Sequence, residues 1–219
     1  MAVQLQQARF SAGTWLTGTA LGAVAVAAWV WLLQGGGEGM GAPAFLAGWA
    51  VMMAAMMLPS AAPLVLVYRR GASGVSTAAL VAGYLGVWAA VGLLAYAAHM
   101  TIEDSRASAL VLAGAAAYEL TPLKARFLSK CRDPAGFLMT RWRGTPAVAL
   151  RLGVEHGLFC LGCCWALMAV LVVAAAMGLA WAAVIALAVF AEKVLPAPRI
   201  WRFAIAGTLL ALAVGSLLR

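Results

Sequence analysis

Seven long apolar stretches dominate this chain of 219 residues, and their length decides what it can fold into. They are 14–34, 43–68, 76–98, 107–120, 146–177, 179–195 and 200–218. A helix rising 1.5 Å per residue needs about 20 apolar residues to cross a hydrocarbon core of about 30 Å. The runs are continuous and rich in Leu, Ala and Val rather than alternating, so they read as helices and not as barrel strands. The fourth is short enough to cross barely or to be partly re-entrant, whereas the fifth is long enough to tilt or protrude. Composition agrees: 65% of residues are apolar and 10% charged, against about 45–50% and about 25% in soluble domains. Too few polar side chains exist to cover a water-facing surface, and disorder would require the opposite composition. The expectation is an all-α, polytopic transmembrane helix bundle of about seven spans. It forms a single membrane-embedded domain over 1–219, with one large cytoplasmic loop, 121–145.

The net charge of +8 would suggest nucleic acid in a soluble protein. Its distribution says otherwise. With the N-terminus in the cytoplasm, the inner segments carry Arg9; Arg69 and Arg70; Lys124, Arg126, Lys130, Arg132, Arg141, Arg143 and Arg151; and Lys193, Arg199 and Arg202. That leaves only Arg106 and Arg219 of the 15 basic residues outside, beside Glu38, Glu103 and Asp104. Such asymmetry is the positive-inside signature of a cytoplasmic N-terminus and an outer C-terminus, and it also attracts anionic lipid heads. No nucleic-acid partner is expected. The first run, about 20 residues, exceeds the 7–15 of a signal-peptide core and lacks a clear cleavage site, so it is expected to remain as a span. The segment Gly35–Gly41 reads as a flexible outer connector. The spacings Gly18/Gly22 and Gly153/Gly157 permit close helix contacts.

Sulfur carries the chemical signal. Cys131 lies in the loop 121–145, and Cys160, Cys163 and Cys164 lie within the fifth run. None is in an outer loop, where structural disulfides would form. At 100° per residue, His156, Cys160 and Cys163 fall within about 60° of one another, with Cys164 about 40° beyond Cys160 and Trp165 on the opposite side. One helix face therefore offers an imidazole and two or three thiols, which suits Cu(I) or Zn(II). In the second run Met52, Met53, Met56 and Met57 cover one broad face, and thioethers select Cu(I). Pro59 removes the backbone bond to Ala55 and is expected to kink this helix. Met56 and Met57 lie about 18–20 Å above Arg69, and Cys160 to Cys164 about 14–20 Å above Arg151, so the two clusters can meet near the midplane. A lone Cys or Met packs as an ordinary apolar side chain; three Cys in five residues beside His156 point further. His99, at the far end of the third run, lies about 25–30 Å from His156, which disfavours a haem between them.

Glu119, Glu155 and Glu192 form a second class, because ionisable groups inside spans are costly and often functional. All three sit near the inner side, beside Lys124, Arg151 and Lys193. They read as second-sphere or proton-relay groups, or as interfacial ion pairs.

The strings MMAAMMLPS in the second run, YELTPLK and CRDP across Tyr118–Pro134, CLGCCWALM in the fifth run and EKVLP at Glu192–Pro196 resemble a bacterial family. Its members are known as predicted metal-binding integral membrane proteins, with a membrane domain of unknown function. The family pattern carries a Cys where this chain has Phe127, four residues before Cys131, so a two-thiol site within the loop is not expected. The resemblance implies metal binding, the bacterial cytoplasmic (inner) membrane, and a complex with a small soluble partner.

Together these features favour a metal-handling membrane protein over an enzyme. Its ligand set would be Cys160, Cys163, Cys164, His156, Met52, Met53, Met56 and Met57, and its ion copper(I) ahead of zinc, bound for transport, storage or delivery. The expected partners are the lipid bilayer, a small soluble protein and further copies of the chain. Two other readings stand beside it. One is a thiol redox protein or electron carrier using Cys160 and Cys163. The other is a structural subunit whose sulfur residues only pack. For orientation, a reporter active only outside the cytoplasm is expected to work when fused after Arg219 and to be silent within 121–145. The reverse pattern would invert the assignment.

Overall fold

The structure, a computed structural model, describes residues 12–35, 41–100, 105–139, 141, 144–173 and 179–217. Arg9, Glu38, Glu103, Asp104, Arg143, Arg219, the segment 36–40 of the outer connector and the end of the fifth run lie outside the described residues, as do the side chains of His99 and Arg106. Among the described residues every regular element is helical: α1 (Ala12–Leu33), α2 (Ala42–Arg69), α3 (Gly74–His99), α4 (Ser105–Leu120), α5 (Pro122–Arg132), α6 (Pro134–Met139), α7 (Pro146–Val173), α8 (Leu179–Val194) and α9 (Pro198–Leu217). The all-α reading of the sequence holds.

Five of the helices, α1, α2, α3, α7 and α9, are long and apolar enough to cross a membrane. The other two apolar runs give α4 and α8, each of 16 residues. At 1.5 Å per residue these span about 24 Å, short of a hydrocarbon core of about 30 Å. Large side chains such as Trp15, Leu16, Val26, Ile200, Phe203 and Leu217 point outward from α1 and α9. An aqueous surface would not carry them in such density, and the bundle is consistent with a membrane protein.

The segment 121–145 departs most from expectation, because it is not an open loop but carries α5 and α6. Local sequence explains both. Thr121 caps α5 by accepting a hydrogen bond from the Lys124 amide (3.2 Å), and Pro122 stands at its first turn. Asp133 ends α5 and accepts from the Gly136 amide (2.8 Å), with Pro134 opening α6. Thr-Pro and Asp-Pro are helix-start signals, each pairing a capping oxygen with a residue that lacks the amide it would leave unpaired. α5 then packs on α7 and α8 instead of lying free.

α7 is the axis of the fold, contacting α3, α4, α5 and α8. α2 lies on the other side of the core against α1, α3, α6 and α8, while α9 packs on α4 and α8. Both prolines of α2, Pro59 and Pro63, are accommodated inside one continuous helix. The α3–α7 contact is the most intimate, and glycine makes it so. A Cβ on Gly83 would stand 2.2 Å from the Leu150 carbonyl oxygen, and one on Gly153 2.0 Å from that of Leu80. Gly157 similarly faces Val87. The spacing Gly153/Gly157 thus serves close backbone approach, whereas Gly22 meets nothing within 4 Å. Opening this contact to admit a side chain is expected to cost about 1–3 kcal/mol. Gly153→Val should therefore lower the thermal midpoint of the detergent-solubilised protein by several degrees. Gly86→Ala, which meets open space inside α3, should leave it unchanged or raise it slightly.

Candidate metal centre

Cys160, Cys163 and Cys164 sit on one face of α7, and the helix repeat brings all three Sγ atoms within 4.8 Å of one another. All are fully buried, while Trp165 projects outward on the opposite side at 45% exposure. Cys163 and Cys164 each donate to the Cys160 carbonyl oxygen, at 3.1 and 2.9 Å. These bonds to the preceding turn park both thiols without using any other helix.

Side chains from four other helices complete the surroundings. The Lys193 ammonium, from α8, donates to Cys160 Sγ at 2.8 Å and to Ser60 Oγ at 3.2 Å. The Tyr84 hydroxyl, from α3, lies 3.0 Å from the same sulfur. Ser60 in turn donates to the Met57 carbonyl oxygen at 2.9 Å. From α5, Cys131 places its Sγ 3.7 Å from Cys163 Sγ. Phe127, one helical turn earlier on α5, lays its ring on Gly162, where a Cβ would stand 2.7 Å from it. The i, i+4 spacing of Phe127 and Cys131 turns both toward α7.

The remaining sequence candidates separate into distinct places. Met52, Met53, Met56 and Met57 are buried in the same core cluster as the three thiols. They supply its wall from α2. His156, one turn before Cys160, is buried between the rings of Tyr84 and Phe137, with centroids 5.9 and 5.5 Å away. Its Nδ1 has no hydrogen-bond partner. Glu155 lies at the surface and pairs with Arg151 and Arg141. Glu119 and Glu192 both bind the ammonium of Lys124, which is wholly buried between them. Arg132 reinforces this knot by donating to the Glu192 carbonyl oxygen at 2.5 Å, and Arg202 by donating to those of Glu119 and Thr121 at 2.7 and 2.9 Å.

Lys193, Cys131, Tyr84 and Ser60 all escape a reading of the sequence. Lys193 counts there as a topogenic charge beside Glu192. In the fold the two neighbours diverge, Glu192 to Lys124 and Lys193 to Cys160, because successive residues on a helix point about 100° apart. Cys131 reads as an isolated loop thiol until α5 docks.

Chemically, the centre offers closely spaced soft sulfur donors in an apolar enclosure. Metal–thiolate bonds of about 2.3 Å place the sulfurs of a trigonal site about 4 Å apart, a spacing this cluster can meet. A cation bound by several thiolates would bring net negative charge into a low-dielectric interior, which is costly unless compensated. The Lys193 ammonium stands where that compensation is needed.

Among known proteins, the model of a copper chaperone family, PpoB2, matches residues 46–217. No curated protein and no solved structure matches the chain. The matched segment contains the thiol cluster, the methionine face and the whole Lys124 knot. Lys124→Met would leave two buried carboxylates facing each other without a counterion, and a loss of about 3–5 kcal/mol is expected. Thermal unfolding should register this as a large fall in midpoint. Arg151→Ala, at the exposed pair with Glu155, should cost no more than about 1 kcal/mol.

Proposed function

The chain belongs to the PpoB2 copper chaperone family, and from that premise we propose that it is a membrane-embedded copper(I) carrier which holds the ion for delivery to a partner protein. The three converging thiols of Cys160, Cys163 and Cys164 carry this reading. They would be the holding ligands, each losing its proton on binding, since the thiolate is the metal ligand. The thioethers of Met52, Met53, Met56 and Met57 line the same core and add soft donors that favour Cu(I) over Zn(II). His156, with its unpartnered Nδ1 one turn away, would add an imidazole donor beside the cluster. Lys193 offsets the charge of the thiolates. In this reading Glu119, Glu192 and Lys124 hold the scaffold together and Glu155 belongs to the surface. The protein lies in a bacterial cytoplasmic membrane, and its soluble partner meets it on the cytoplasmic side.

Protein purified from cells grown with added copper, under reducing conditions, should retain copper in stoichiometric amount by elemental analysis. The triple variant Cys160→Ser, Cys163→Ser, Cys164→Ser should retain less than about a tenth of it, because hydroxyls are hard donors and poor Cu(I) ligands. Equal copper in both proteins would refute the proposal. Stoichiometric zinc in place of copper would refute the choice of metal.

A further inference from the structure

Of the four thiols, three are sealed in the core, while Cys131 alone is half-buried. It is also the only one outside α7, yet it reaches to 3.7 Å from Cys163 Sγ, near the edge length of about 4 Å in a trigonal thiolate site. It therefore touches the buried cluster on one side and the protein surface on the other. We propose that Cys131 is the exchange thiol, through which Cu(I) passes between the buried cluster and a thiolate-bearing copper donor or acceptor at the surface of α5. The proposal rests on the copper reading above and assigns a route within it.

Three observations support that route. The first is access: Cys160, Cys163 and Cys164 are fully buried, whereas Cys131 is half-buried and the least enclosed of the four thiols. The second is charge. Copper(I) held by two thiolates carries a net negative charge, and the segment 121–145 carries six basic residues against Asp133 alone. On another face of α5 a cavity of about 310 Å³ is lined by Arg132, Arg199 and Arg202 together with Asp133. A positive surface raises the local concentration of anionic complexes and speeds their encounter. The third is mechanical support. α5 is fixed at both ends, by Lys124 between Glu119 and Glu192 and by Arg132 on the Glu192 carbonyl, so Cys131 is held at the cluster.

The transfer is a ligand exchange with no change of oxidation state. Cys131 Sγ forms a bond to Cu(I) as one donor thiolate bond breaks. The Cys131 proton leaves to solvent, and the departing thiolate takes one up. Cys163 Sγ then loses its proton and binds the same ion as the remaining donor bond breaks, that thiolate taking up a proton. Cys160 or Cys164 displaces Cys131 in the same way, and the Cys131 thiolate is reprotonated. Delivery is the reverse sequence.

The test follows loading of the apo protein, in detergent and under anaerobic reducing conditions, from the Cu(I)–glutathione complex. Copper bound per protein is measured at timed intervals and at equilibrium. Cys131→Ser is expected to load at least about tenfold more slowly than wild type and to reach the same final stoichiometry, since a hydroxyl cannot serve as the exchanging ligand. Loading within about twofold of the wild-type rate would overturn the assignment. Loss of copper at equilibrium would also overturn it, by making Cys131 a holding ligand. Should the serine variant fail to fold, wild-type apo protein alkylated at its accessible thiol with N-ethylmaleimide replaces it, and the same two outcomes apply. The cluster variant Cys163→Ser separates this inference from the one it rests on, because its copper should fall at equilibrium whatever the role of Cys131.

Discussion

Lys124 has no exposed surface and lies between two carboxylates contributed by different helices. Glu119 ends α4, Glu192 lies near the end of α8, and Lys124 itself sits in the first turn of α5. One ammonium thus ties three helices together, and Arg202 extends the tie to α9 through the Glu119 carbonyl. In an apolar bundle such a knot is strongly directional, because removing either partner strands a charge where water cannot reach it. Apolar packing could let α5 slide or lift. The ion pairs specify where it docks, and with it the placement of Cys131 and Phe127 against α7.

The second polar centre differs in kind. Around the thiols, one ammonium and one phenol converge on Cys160, and the ammonium also reaches a serine hydroxyl. No carboxylate neutralises Lys193 there among the described contacts, so its nearest charge partner is sulfur. Adjacent residues of α8 therefore serve opposite ends: Glu192 accepts a cation to fix the scaffold, and Lys193 supplies one to the cluster. This division explains how a chain with only seven acidic residues can keep a cation available beside a ligand set that gains negative charge on binding metal.

Much of this was legible in the sequence because it is local. Continuous apolar runs give helices, and the 3.6-residue repeat places Cys160, Cys163 and Cys164 together with Trp165 opposite. The Thr-Pro and Asp-Pro signals of 121–145 were also present, but a basic segment between spans reads as a solvated loop unless the destination of its cations is known. Lys124 finds Glu192 across 68 residues of sequence, and Lys193 finds Ser60 across 133. Neither pairing leaves a periodic trace. Five helices are long and apolar enough to cross a membrane, while α4 and α8 are apolar but 16 residues long as described.

The docking of α5 also sets an order of assembly. Lys124 and Cys131 are synthesised well before Glu192 and Lys193, so until α8 has been made and inserted α5 lacks one of its two carboxylate anchors and Cys160 lacks its ammonium. A growing chain consequently carries the thiols of α7 before it can hold them in their finished surroundings. The same late helix closes the scaffold and supplies the compensating charge, so completion of the fold and readiness of the centre coincide.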